Sequence, residues 1–196
     1  MAERGRFIVL YGVNNIGKST QLAMLVSALA AQGRRVERRK SPNYELPSGK
    51  VINAILREGR KASAHELQQW QAINMHQEQR LIEETVAAGT DLISEDYWGT
   101  TIAWGRGHGI PREDLAAMVD GLRPPDVAIL MHGKRFSDSK EAGHIHEEND
   151  DLTEQVQQFH LELADEFGWQ KIDANRPKEE VHADVLAAVT GSKVEA

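Results

Sequence analysis

The chain has 196 residues, no cysteine and a formal net charge of -7. That length suits one α/β domain with a sizeable core, and the absence of Cys excludes a disulfide framework, a thiol nucleophile and any Cys-based metal centre. The acidic balance argues against a nucleic-acid binder, whose footprint is normally basic.

Residues 1–6 run straight into the first apolar segment, so no signal peptide is expected. No apolar stretch approaches the roughly 20 residues of a membrane span. A cytoplasmic protein of one domain, 1–196, is the expectation.

Phe7 to Tyr11 is short, apolar and β-prone. Gly12, Val13, Asn14, Asn15, Ile16, Gly17, Lys18, Ser19 and Thr20 follow, a full match to the phosphate-loop pattern G-x-x-x-x-G-K-[ST]. Gln21 to Ala31 carries Leu, Ala and Met at helical spacing, and Gly33 suits the end of that helix. The motif therefore sits between a buried strand and a helix N-terminus, where free backbone N–H groups and the helix dipole favour a polyphosphate. Lys18 can reach the terminal phosphates of ATP, and the Ser19 hydroxyl can ligate Mg²⁺.

Arg34 to Lys40 is basic and alternates poorly, which predicts an edge strand whose Arg34, Arg35, Arg38 and Arg39 form a solvated face. Turn residues follow, and a helix is expected from Ser48 or Gly49 through Leu56. Ala64 to Ala88 reads as a long polar helix with an interrupted apolar stripe at Leu67, Trp70, Ile73, Leu81 and Ile82. Leu92 to Ser94 is a strand ending at Glu95, where an acid can complete the Mg²⁺ site with Ser19 or orient the attacking group. Thr100 to Gly105 is expected to be helical, ahead of a Gly-rich break over Gly105–Gly109.

Pro111 to Asp114 opens a further helix, with Pro near its first position and acids in its first turn. Val127 to Met131 is a buried strand, and 133–151 is polar with little periodicity. Leu152 to Phe167 is an amphipathic helix, Trp169 to Ile172 a last strand, and Pro177 to Val189 the closing helix. Strands alternating with helices predict an α/β fold, a five-stranded parallel sheet flanked by helices, with ligands outside the strands' carboxyl ends.

From Phe7 to about Val189 the chain resembles the thymidylate kinase family of P-loop nucleoside monophosphate kinases. The segments that carry the likeness are Tyr11 to Gln21, Lys40 ahead of Pro42, Gly49, Glu95-Asp96-Tyr97, Thr100 to Trp104, Pro125-Asp126 and Ile172-Asp173-Ala174. The resemblance implies a P-loop NTPase fold with a lid over about 133–150, and a homodimer packed through the long helices. It implies an acceptor site at Lys40, Trp70 (or its neighbour Gln71), Met75, Asp96, Tyr97, Thr100 and Trp104. Catalytic roles fall on Lys18, Glu95 and Arg135, with Lys134 and Arg106 as further sources of positive charge.

Several positions depart from the family pattern. Asn14 stands for its loop Asp, Tyr11 for its Glu, Asp96 for its Arg, and Met75 for the Arg that meets the base. An anion at position 96 repels a phosphate, and Met cannot donate a hydrogen bond. The reading is transfer of the ATP γ-phosphoryl group to a (deoxy)nucleoside monophosphate, dTMP first. A kinase for a nucleoside or unusual nucleotide and a nucleotide-binding pseudokinase or regulator stand beside it. No guanine-reading Asn-Lys-x-Asp supports a GTPase switch. His144, His146, Glu147 and Asp150 match no specific metal-ligand spacing.

Overall fold

The computed structural model describes residues 4–136 and 150–191. In chain order the described elements are β1 (Phe7–Tyr11), α1 (Lys18–Ala31), β2 (Arg35–Lys40), α2 (Pro47–Arg57), α3 (Ala64–Ala87) and β3 (Thr90–Glu95). They continue with α4 (Trp98–Gly107), α5 (Arg112–Val119), β4 (Val127–His132), α6 (Asp150–Phe167), β5 (Gln170–Asp173) and α7 (Lys178–Thr190).

The five strands form one sheet in the order β2-β3-β1-β4-β5. Every neighbouring pair is parallel. Parallel strands need a crossover between them, and the intervening helices supply it while covering the sheet. α1 and α7 pack together against one side, while α3, α4 and α6 pack on one another and against β3, β4 and β5. β1 is buried at every position and lies at the centre, whereas β2 alternates toward solvent and is an edge, as its basic sequence predicts. In this parallel arrangement all five strands point their carboxyl ends to one side, and the loops after them form the site.

The charges beside β2 are not simply solvated. Arg34 donates to the buried carboxylate of Asp91, with Nη2 2.8 Å from Oδ1, and Arg6 donates to it through its backbone N at 2.9 Å. Arg39 donates to Glu37 and Glu78 at 2.9 and 2.8 Å. Buried carboxylates at 91 and 78 need cationic partners, and that need draws Arg34 and Arg39 inward. Burial pushes the Asp91 pKa up, but its bonds to Arg34 and Arg6 outweigh that and hold it below the usual value.

α4 begins at Trp98, earlier than expected, and runs to Gly107, through the supposed break at Gly105. The reason is close packing. A Cβ at Gly105 would lie 2.3 Å from Leu115 Cδ2, and one at Gly107 would lie 2.8 Å from Val156 Cγ2. These two glycines let α4 approach α5 and α6. Tyr11 stacks on Trp169 with ring centroids 4.1 Å apart, over Gly99 where no side chain would fit.

Candidate active site

The turn after β1 is made possible by residues that tolerate unusual backbone. Gly12 has φ 141° and Gly17 φ 90°, and Asn15 lies in the left-handed region at φ 62°. A Cβ on Gly12 would approach Met131 O to 2.5 Å, so glycine is also required by contact with β4. Within this turn Lys18 folds back. Its Nζ donates to Gly12 O at 2.7 Å and Val13 O at 3.1 Å, and lies 3.6 Å from Asp96 Oδ2. Ser19 Oγ donates to Glu95, 2.9 and 3.0 Å from its two carboxylate oxygens.

Glu95 closes β3 and is 5% exposed. Lys40 Nζ, at the end of β2, is 3.8 Å from Glu95 Oε1, because Lys40 and Glu95 are register partners. Arg38 Nη2 is 3.9 Å from Glu95 Oε2. Asp96 takes a left-handed backbone at φ 65°, fixed by its N–H to Leu10 O at 3.1 Å and by Thr100 Oγ1 donating to its carboxylate at 2.8 Å. Burial raises the Asp96 pKa, with Lys18 pulling it down and Glu95 adding to the rise. Tyr97 accepts a hydrogen bond from Gln79 Nε2 at 2.7 Å, and burial pushes its phenol up to about 12.

These groups line one cleft of about 560 Å³. From the phosphate-loop side Asn14 to Thr20 face it, and from the acceptor positions Lys40, Asp96, Tyr97, Thr100 and Trp104 do. Gly12 and Val13 stand behind the loop and contribute the carbonyls that hold Lys18.

Two acceptor positions lie elsewhere. Met75 is 1% exposed in the main core. Trp70 packs with Ile52, Ile55, Leu56 and Leu67 under α2, donates from Nε1 to Glu66 at 3.3 Å, and borders a separate hollow with His76 and Met118. Gln71, one residue on, is the α3 side chain that meets the cleft. Of the expected sources of positive charge, the guanidinium groups of Arg135 and Arg106 are engaged away from the cleft wall. Arg135 Nη1 donates to Asp150 Oδ1 at 3.1 Å and Thr153 Oγ1 at 3.3 Å. Lys134 is held through its backbone by the Asn175 amide, at 2.6 and 2.8 Å. Arg106 donates to Glu162 at 2.7 Å and sits over the Phe159 ring at 4.0 Å.

His144, His146, Glu147 and most of the lid segment lie outside the described residues. Asp150, the remaining member of that acidic and histidine group, is the partner of Arg135. Sequence reasoning did not single out Arg57, Arg176 or Lys178, which also line the cleft. Arg57 ends α2 and lies 5.6 Å over the Tyr44 ring. A basic residue in a last helical turn is common, and nothing local marks it as facing a site.

A parallel sheet with a glycine loop between β1 and α1, a lysine folded into that loop, and a Ser–Glu pair at its mouth define a P-loop phosphotransferase. The thymidylate kinase family model matches residues 10–185. Human thymidylate kinase is 30% identical over 189 residues, covering 94% of this chain and 89% of that protein. The Arabidopsis thaliana thymidylate kinase is 29% identical over 188 residues, covering 95% of this chain and 71% of that one. The solved structure of Candida albicans thymidylate kinase superposes with a TM-score of 0.83 at 20% identity, covering 96% of this chain and 92% of that one. The chain belongs to the thymidylate kinase family.

Proposed function

We propose that this protein transfers the γ-phosphoryl group of ATP to dTMP, giving dTDP and ADP. The observation that carries the reading is one continuous cleft that joins the phosphate loop to Lys40, Gln71 and Trp104. The loop amides and the α1 N-terminus suit the donor phosphates. Lys18 leaves the Gly12 and Val13 carbonyls to neutralise charge on the transferred group, and Lys40 holds the acceptor phosphate.

Ser19 and Glu95 offer a hydroxyl and a carboxylate within hydrogen-bond distance of each other. Hard oxygen donors of that kind fit Mg²⁺, which Ser19 and Glu95 would hold and which would supply positive charge to offset that of the phosphates. A role for Arg135 in the transition state requires it to leave Asp150 and Thr153. Little covalent chemistry is asked of the side chains, so orientation and exclusion of water dominate.

The same reading carries a cytoplasmic homodimer packed through α3, whose Ile73 and Leu81 are each 42% exposed. Among the described residues no helix is long and apolar enough to cross a membrane. Light scattering of the purified chain tests the dimer.

ADP release with a panel of monophosphates and nucleosides tests the activity. Turnover should be fastest with dTMP and be abolished in Lys18→Ala with every acceptor. Faster turnover of thymidine would replace the acceptor, and ATP binding without transfer to any acceptor would replace the enzyme with a binding protein.

A further inference from the structure

Beyond the phosphate loop the cleft is walled by α2, α3 and α4, through Leu56, Gln71, Thr101 and Trp104. Leu56 and Trp104 are 5% and 7% exposed, giving an apolar flank and an aromatic one. Such walls suit a flat heterocycle better than a sugar or a phosphate. Among the polar groups that line this part of the cleft, beside the Arg57 guanidinium, is the Gln71 amide.

That amide is oriented. Thr101 is 1% exposed, and its Oγ1 donates to Gln71 Oε1 at 3.2 Å. A carboxamide has an acceptor end and a donor end. With the oxygen engaged by a buried hydroxyl, the NH₂ end is the one left for a ligand, and among the described residues it has no protein partner. The family's base-facing position, Met75, is sealed in the core and contributes nothing to this wall.

We propose that Gln71, positioned by Thr101, is a specificity-determining residue that donates from Nε2 to an exocyclic carbonyl of the acceptor's base. The inference rests on the nucleotide-kinase reading for what occupies the cleft. A keto base presents an acceptor to the amide. An amino base presents a second donor, and two facing donors leave both groups unsatisfied. The site then takes thymine and uracil nucleotides and rejects cytosine nucleotides. The 5-methyl group that separates dTMP from dUMP plays no part in the contact.

The experiment measures kcat and KM for dTMP, dUMP and dCMP by ADP release, in the full chain and in Gln71→Glu and Thr101→Val. Glutamate keeps the shape and reverses the polarity at the base. Its ratio of kcat/KM for dTMP over dCMP should fall by about tenfold to a hundredfold. The fall should come through KM, with dTMP and dUMP moving together. Valine frees the amide to turn over and should give a smaller fall in the same direction.

A ratio unchanged in both variants overturns the proposal, as does a loss of kcat that is equal for all three acceptors. If the native chain turns over no nucleotide, the kinase reading fails on its own. Calorimetric binding of dTMP and dCMP to the native chain and to Gln71→Glu then decides the point. Keto-selective binding lost in the variant supports the contact, and unselective or absent binding overturns it.

Discussion

Lys18 Nζ lies 3.6 Å from Asp96 Oδ2, so the lysine of the phosphate loop is paired with a carboxylate from the end of β3. The Asp96 side chain is only 14% exposed there, and burial raises its pKa above the ordinary 3.8 in spite of Lys18. An acid with a raised folded value binds its proton more tightly folded than unfolded. Stability therefore falls as pH rises from 3.8 through the folded value, and the cost is constant above it. Asp96→Asn removes this cost. The melting temperature of the variant relative to the native chain should be higher at pH 7 than at pH 4. The same substitution removes a competitor for Lys18, so ATP should bind severalfold more tightly, by about 1 kcal/mol. A stability difference independent of pH would show that Asp96 ionises in the fold as readily as in the unfolded chain, with no rise caused by burial.

The phosphate-loop side of this cleft was legible in the sequence because its residues are contiguous. A strand, a glycine turn and a helix start within Phe7–Ser19 dictate where Lys18 goes, and Glu95 is found because it ends a strand. The far wall of the cleft, where the acceptor is proposed to bind, is assembled from α2, α3, α4 and the turn after β2, with no spacing rule connecting them. Trp70 and Gln71 illustrate the limit. Adjacent residues on a helix point about 100° apart, so a shift of one position moves a side chain from the cleft to the α2 interface. The apolar stripe of α3 is interrupted and could not decide between them. Gly105 shows the complementary case, where a breaker residue is helical because Leu115 occupies the space of its side chain.

Gly49 should tolerate no substitution. It lies in the first turn of α2, and a Cβ there would fall 2.0 Å from Asn43 O and 2.6 Å from Tyr44 Cα. Both are backbone atoms, so the turn after β2 must move. Gly49→Ala should destabilise the chain by about 1–3 kcal/mol, as overpacking does, and should raise the KM for the acceptor more than that for ATP. Urea denaturation and the two KM values check this. An unchanged acceptor KM would separate the 41–46 turn from acceptor binding.

Asn74 anchors the same turn from α3. It is fully buried, accepts from Asn43 N at 2.8 Å, and donates to Asn43 O and Ser48 Oγ at 3.0 and 2.9 Å. Asn74→Ala leaves the half-buried Asn43 N–H and carbonyl without their side-chain partner, which costs about 1 kcal/mol. Lys40 and Pro42 flank that turn and face the cleft. The variant should thus lose acceptor affinity while Lys18 and Ser19 keep theirs for ATP. Binding of ATP and of dTMP measured separately gives the answer, and parallel losses would mean a global rather than a local effect.

His160 should set part of the acid limit of the fold. It lies within α6 with no exposure, donating from Nδ1 to Val156 O at 3.1 Å, while its Nε2 has no partner among the described residues. Burial, with the nearby Lys18 charge adding to it, depresses its pKa from 6.5 to about 3. Between those values the unfolded chain takes up a proton that the folded chain refuses. Stability from this group is complete above pH 6.5 and is lost as pH falls toward 3, at about 1.4 kcal/mol per pH unit. From pH 6.5 to 5 that amounts to about 2 kcal/mol. His160→Leu keeps the bulk against α4 and has no proton to bind. Urea denaturation at pH 7 and pH 5 should show the native chain losing about 2 kcal/mol more than the variant over that interval. Equal losses in the two chains would mean that His160 is protonated in the fold, and that the buried imidazole has a partner for its second nitrogen.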